Sequence, residues 1–252
     1  MIAPAIAWPA GLGLLGAIIG SFVATVAVRW PEGRSIARGR SRCDGCGTVL
    51  RARELVPLAS FVASEGRCRT CGGAIDRRHP AIEALAAAIG VAGGLASPGV
   101  EGVAGAVFGW MLLALGALDL AAFWLPDRLT GALALLGAAG GVAGLEPPLA
   151  DRVIGGVAGF GALWLVAGGY RRVRGREGMG GGDPKLFGAI GLWLGWRFLP
   201  AVLLIASMIG LGVALGAAAM RRPLARHTAL PFGVFLAAAA YPAWIVMVTM
   251  QP

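Results

Sequence analysis

Charged residues are scarce in this chain: only 14% of its 252 residues are charged, whereas 57% are hydrophobic. A soluble globular domain carries roughly 25% charged residues. Apolar runs of 17 to 22 residues recur instead, and each can cross a hydrocarbon layer of roughly 30 Å. One small core cannot bury so many helices that are apolar all round, so the composition excludes a soluble protein. Regular alternation of polar and apolar residues is also missing, which excludes a transmembrane β-barrel.

These apolar runs predict an all-α polytopic membrane protein with about eight transmembrane helices. The predicted spans are residues 9–28, 80–97, 101–119, 129–146, 153–170, 185–198, 199–219 and 229–249. No basic residue precedes the first run, so we expect a retained first helix and not a cleavable signal peptide. The predicted domains are a first helix (1–28), a cytoplasmic loop domain (29–79) and a transmembrane domain of about seven helices (80–252).

Basic residues are distributed unevenly between the predicted loops. If the N-terminus faces outside, 20 of the 22 basic residues lie in the cytoplasmic segments or at their edges. Those segments are 29–79, 120–128, 171–184 and 220–228. Cytoplasmic loops of membrane proteins carry such an excess. The formal charge of +9 therefore reflects topology and attraction to anionic lipid, and we expect no nucleic-acid partner.

Cysteine is confined to the one long polar segment, 29–79, where two C-x2-C pairs are separated by 21 residues. This spacing is typical of a tetrahedral zinc site with four thiolate ligands. Two disulfides are an alternative, disfavoured in a reducing compartment, and a redox dithiol is another. So short a segment buries little apolar surface, so the metal would supply much of its folding free energy. The predicted ligands are Cys43, Cys46, Cys68 and Cys71.

Acidic residues number only 13, and two of them stand out. Asp119 ends the third span, and Asp183 follows a glycine-rich stretch at the start of the sixth. A carboxylate at the membrane edge is costly and tends to be functional. If these two meet in a partly dry site, they share a proton and supply a general acid beside a general base. The alternative for each is a helix cap, a pattern that Asp127 also shows.

Taken in order, these motifs resemble those of the bacterial type IV prepilin leader peptidases, aspartic enzymes that also act as N-methyltransferases. The resemblance covers nearly the whole chain and includes the G-x-G-D signature. The segments that carry it are GSFVATVAVRWP, SRCDGCGTVL, ELVPLASFVASEGRCRTCGGAI, RRHPAIEALAA, DLAAFWLPDRLT and EGMGGGDPKLFGAIGLWLGW.

The resemblance implies which residues form the site. Asp119 and Asp183 are the expected catalytic pair. Asp127 is expected to be structural, because related peptidases commonly have asparagine at that position. Four residues are expected to support the site, two as signature glycines, one as the lysine after the aspartate and one as the acidic residue after the loop. They are Gly180, Gly182, Lys185 and Glu83.

The resemblance also implies a function. The expected enzyme cleaves the basic leader of type IV prepilins or pseudopilins, the substrates of type IV pilus and type II secretion systems. Cleavage follows a glycine at the cytoplasmic face of the bacterial inner membrane. The enzyme then methylates the new N-terminal residue with S-adenosylmethionine, whose binding residues the sequence does not identify. Two alternatives are a proton-coupled membrane transporter and a peptidase that lacks methyltransferase activity.

Overall fold

A computed structural model of the chain describes residues 4–34, 40–220 and 230–250. Within these ranges the fold is helical, and β-structure is limited to two isolated bridges, Arg42 with Val49 and Arg67 with Ala74. The chain divides into two compact units, Met1–Ala117 and Leu118–Pro252. Most of the predicted basic segment 220–228, and part of the cysteine loop, lie outside the described residues.

The first unit contains two long helices in close contact. Its helices are α1 (Pro4–Arg29), the short α2 (Ala59–Ala63), α3 (Arg78–Ala96) and most of α4 (Val100–Ala122). Small residues bring the backbones of α1 and α3 together, since a Cβ atom on Gly20 would lie 2.7 Å from the Cα atom of Glu83. Close approach through small residues is a common mode of helix packing in membranes. Trp110 on α4 donates its indole N–H to the Ala86 carbonyl at 2.8 Å.

The second unit is arranged around its shortest helix, α7. Its helices after the end of α4 are α5 (Asp127–Val142), α6 (Leu149–Arg174), α7 (Gly182–Leu194), α8 (Leu199–Ala219) and α9 (Phe232–Thr249). Ten of the 13 residues of α7 are buried. Glycines on α6 and α7 face each other, so that a Cβ atom on Gly191 would overlap the Gly155 carbonyl. The Trp193 indole N–H reaches across to α5 and donates to the Leu133 carbonyl at 2.8 Å.

A buried arginine holds one end of this unit together. The Arg152 side chain is only 2% exposed, and its guanidinium donates to five backbone carbonyls at 2.7 to 3.2 Å. These acceptors are Gly137, Leu145, Glu146, Pro147 and Leu192. Arg152 therefore ties α5, the loop after it and α7 to α6. A buried guanidinium is tolerated here because its N–H groups find acceptors.

Each of the eight predicted spans corresponds to one of the long helices, which confirms the all-helical class. Within the part of the chain that the structure describes, six helices are long and apolar enough to cross a membrane: α1, α3, α4, α6, α8 and α9. The other two, α5 and α7, have 16 and 13 residues, and are therefore about 24 and 20 Å long at about 1.5 Å per residue. Many apolar side chains of α6 and α8 are exposed, as lipid-facing side chains would be.

Candidate active site and metal centre

Asp119 lies in the last turn of α4 and is 5% exposed. Its Oδ2 atom accepts a hydrogen bond of 3.1 Å from the backbone N–H of Val234, in the first turn of α9. The N–H groups at a helix N-terminus favour a nearby carboxylate because the helix dipole is positive there. The α9 terminus can come this close because residue 233 is glycine, on which a Cβ atom would lie 2.8 Å from the same oxygen.

Asp183 is the second residue of α7 and is also 5% exposed. Its backbone N–H donates to the Gly180 carbonyl at 3.2 Å, which closes the turn that begins the helix. A Cβ atom on Gly180 would lie 3.4 Å from Asp183 Oδ2. The signature glycine therefore borders the carboxylate directly.

The starts of α7 and α9 both lie against the side chain of Leu125, and this places Asp183 and Asp119 in the same region. A Cβ atom on Gly182 would lie 2.7 Å from Leu125 Cβ, and one on Gly233 would lie 3.1 Å from Leu125 Cδ1. Leu125 thus separates the start of α7 from the start of α9, and Asp183 lies within electrostatic range of Asp119. Two buried carboxylates in one low-dielectric site hold one proton between them more readily than two charges.

Asp127 occupies a different environment from these two aspartates. Its side chain is 73% exposed and forms an ion pair of 2.6 Å with Lys185. An exposed ion pair contributes little stability and leaves the carboxylate hydrated. The geometry therefore sets Asp127 apart from the two buried aspartates. It also places the Lys185 ammonium on Asp127, so Lys185 has a partner other than the neighbouring Asp183.

Glu83, the fourth supporting residue, lies in the first unit near the start of α3. It is 8% exposed, and its Oε2 atom accepts the backbone N–H of Leu58 at 2.8 Å. Leu58 has a positive φ of 59° and immediately precedes α2. Because few side chains adopt this backbone conformation, the Glu83 hydrogen bond helps to fix the path of the cysteine loop.

The four cysteines form one cluster that can hold a metal ion. Their sulfur atoms all lie within 4.8 Å of one another, and those of Cys43 and Cys71 are 4.0 Å apart. Ligands at about 2.3 Å around a tetrahedral zinc ion have similar separations. Each pair lies on a tight turn, in which the N–H of Gly47 bonds to the Cys43 carbonyl and that of Gly72 to the Cys68 carbonyl. Both glycines have positive φ, at 71° and 70°.

The pKa values of the thiols reflect how closely the sulfurs are packed. Hydrogen bonds with the side chain and backbone of Thr48 lower the pKa of the Cys46 thiol to about 6. The Gly73 N–H lowers the pKa of Cys71, but the neighbouring sulfurs of Cys46 and Cys68 raise it to about 11. Because the four sulfur atoms lie so close together, the state in which all four are deprotonated is unfavourable unless a positive ion offsets their charge. All four cysteines are free thiols, and no disulfide joins them in this structure.

Two parts of this site could not be predicted from sequence. Val234 and Gly233, which meet Asp119, lie about 115 residues further along the chain. Their only sequence signal is a glycine next to a helix start after Pro231. Leu125, the side chain that packs against both helix starts, resembles any other buried leucine in the sequence.

Comparisons with known proteins identify two matching families. Residues 14–96 match the Bacterial Peptidase A24 N-terminal domain, and residues 106–215 match the Type IV leader peptidase family. No solved structure matches the chain significantly.

Several relatives carry the name prepilin leader peptidase/N-methyltransferase. One from Burkholderia pseudomallei (strain 1026b) is 44% identical over 201 residues, which are 79% of this chain and 64% of that protein. One from Aeromonas salmonicida (strain A449) is 39% identical over 211 residues, covering 82% and 70% of the two chains. One from Dickeya chrysanthemi is 37% identical over 254 residues, covering 91% and 89%. The match thus spans less than two thirds of the Burkholderia relative.

Proposed function

Because this chain belongs to the type IV leader peptidase family, we propose that it is an aspartic endopeptidase of the bacterial inner membrane. Its substrates are prepilins or pseudopilins, and it cleaves their leader after a glycine at the cytoplasmic face. It then methylates the new N-terminal residue with S-adenosylmethionine. The observation that carries the peptidase proposal is the pair of buried carboxylates, Asp119 and Asp183, around Leu125.

The pair is suited to attack by water on a peptide carbonyl. The ionised carboxylate takes a proton from a water molecule while the oxygen of that water bonds to the carbonyl carbon of the peptide. The protonated carboxyl group donates its proton to the carbonyl oxygen. The tetrahedral intermediate then collapses, the C–N bond breaks and a proton passes to the leaving amine. The Val234 N–H orients the Asp119 carboxylate by a hydrogen bond to its Oδ2 atom. Such positioning matters because proton transfer requires hydrogen-bond distances.

We further propose that the four cysteines hold a structural zinc ion. Cys43, Cys46, Cys68 and Cys71 would occupy all four tetrahedral positions, which leaves no open position for a substrate. The ion would stabilise the loop by cross-linking its two turns. This role suits a segment whose apolar side chains Leu55, Val56 and Val62 are exposed and contribute little to a core.

Single substitutions of the aspartates test the peptidase. In membranes that contain a candidate prepilin, Asp119→Asn and Asp183→Asn should each reduce the rate of leader removal by about a hundredfold or more, the usual contribution of a general acid or base. Asp127→Asn is the matched control and should cleave nearly normally, because its carboxylate is exposed and ion-paired. Rapid cleavage by Asp119→Asn, with Asp127→Asn inactive, would assign the chemistry to Asp127.

Mass spectrometry of the mature pilin tests methylation. The processed N-terminal residue should carry one additional methyl group when wild-type enzyme and S-adenosylmethionine are present. A processed but unmodified terminus would restrict the enzyme to proteolysis. Leader removal by both aspartate variants at the wild-type rate would reject the peptidase itself.

A further inference from the structure

A cavity in the first unit has no part in the proposed peptidase chemistry. Its volume is about 430 Å³, and it lies between the end of α1, the cysteine loop and the start of α3. Small-molecule sites commonly have volumes of about 300 to 1,000 Å³. Its lining combines charged groups with apolar side chains, which include Val28, Leu55 and Phe61. This composition suits a ligand that has both polar and flat apolar parts.

One carboxylate in the lining is both buried and available. Glu83 is only 8% exposed and contributes to the cavity wall. The Leu58 N–H occupies one position on its Oε2 atom. Because a carboxylate offers about four lone-pair positions, Glu83 can accept further hydrogen bonds from a ligand. A buried carboxylate in a cavity favours ligands with cationic or hydroxyl groups.

The other acidic groups nearby are already engaged. Glu32 contacts Arg34 at 2.6 Å, and Asp76 contacts Arg78 at 2.6 Å. The guanidinium of Arg29, half-buried at the end of α1, lines the same cavity. It has no hydrogen-bond acceptor among the residues that the structure describes. Three further arginines of the lining have no ion pair among the described residues: Arg42, Arg53 and Arg69. The cavity therefore offers several arginine cations beside one buried carboxylate with spare acceptor positions.

We propose that this cavity is the binding site for S-adenosylmethionine, an inference that rests on the proposed methyl transfer. The ligand combines an ammonium and a sulfonium cation, ribose hydroxyls, one carboxylate and a flat adenine ring. Glu83 matches the cations or the hydroxyls, and Arg29 matches the carboxylate. The apolar side chains match the adenine. An anionic lipid phosphate would pair with the arginines of the lining, but it offers no cation to the buried Glu83 carboxylate.

Direct binding to the purified full-length protein tests the site. Radiolabelled S-adenosylmethionine should bind the wild type, and Glu83→Gln should weaken binding about tenfold or more, the effect of losing a hydrogen bond to a charged group. The glutamine oxygen can still accept the Leu58 N–H, so the loop should keep its structure. Glu65→Gln is the matched control, because Glu65 belongs to the same loop but is exposed and does not line the cavity.

The zinc content of both variants should equal that of the wild type, and ultraviolet cross-linking should attach the ligand to residues 21–83. If Glu83→Gln binds the ligand as well as the wild type does, or if the ligand cross-links to residues 118–252, the cavity is not the binding site. Methylation of pilin by the wild type would show in either case that the methyl transfer itself still stands. Displacement of the ligand by vesicles of anionic phospholipid would assign the cavity to lipid and also overturn the site. If the wild type neither binds the ligand nor methylates pilin, the proposed methyl transfer fails as well.

Discussion

Gly233→Ala is the most direct test of how Asp119 is positioned. The added Cβ atom would lie 2.8 Å from Asp119 Oδ2, whereas ordinary contacts begin at 3.4 Å, so one group must move by about 0.6 Å. The same atom would lie 3.1 Å from Leu125 Cδ1. The carboxylate is the freer group, because the backbone of α9 is fixed by its helical hydrogen bonds. We expect Asp119 to rotate away and to lose its bond from the Val234 N–H.

The expected consequence is a loss of rate with little loss of stability. A displacement of about 1 Å in a reacting group can cost about a hundredfold in rate, so a shift of this size should cost about ten- to a hundredfold. Overpacking costs about 1 to 3 kcal/mol in a rigid core. Here the side chain can yield, and alanine favours the helix by about 1 kcal/mol over glycine. The free energy of unfolding should therefore change by about 1 kcal/mol or less.

The assay is leader removal from a prepilin in reconstituted proteoliposomes, with thermal unfolding followed by tryptophan fluorescence. Gly212→Ala on α8 is the matched control, because a Cβ atom there would have no neighbour within 4 Å. It should cleave at the wild-type rate. Wild-type cleavage by Gly233→Ala would refute the reasoning, since the α9 terminus would then not set the position of the Asp119 carboxylate.

Two further predictions concern stability and metal content. Arg152→Lys should lower the free energy of unfolding by about 3 kcal/mol or more, because an ammonium has three donors for five carbonyls and leaves buried acceptors unpaired. Arg197→Lys is the control, because the Arg197 side chain is 72% exposed, and it should change the free energy of unfolding by about 0.5 kcal/mol or less. Chemical denaturation measures both variants, and an equal loss of stability in the two would contradict the buried role of Arg152. Purified protein should contain one zinc ion per chain by elemental analysis, and the double substitution Cys43→Ser, Cys68→Ser should abolish it. Zinc retained by the double variant would place the ion elsewhere.

Local patterns in the sequence were sufficient for the helices and for the candidate residues. A run of about 20 apolar residues requires a helix in a membrane, because every backbone polar group must be satisfied within the segment. The C-x2-C spacing likewise predicts a four-sulfur cluster, and the structure brings those sulfurs together. Asp119 and Asp183 stood out because a carboxylate beside an apolar span is costly, and both are buried.

Contacts between distant segments could not be read in this way. The distribution of charge marks Arg152 only as one of the two basic residues that do not lie in the cytoplasmic segments, yet it is buried against carbonyls of three segments. Likewise, nothing local to Glu83 indicates its bond to Leu58, 25 residues earlier. Such contacts depend on which helices pack together and in what register, and hydrophobic periodicity specifies a buried face without naming its partner.

The sequence was therefore enough to single out the candidate groups, because residue type and membrane depth determine the cost of a charge. Folding alone brought the Val234 N–H to Asp119, placed Leu125 against the starts of α7 and α9, and set Arg29 and Glu83 around a common cavity. The physical reason is range: helix formation depends on neighbours within about four residues, whereas a site depends on packing between helices that are far apart along the chain.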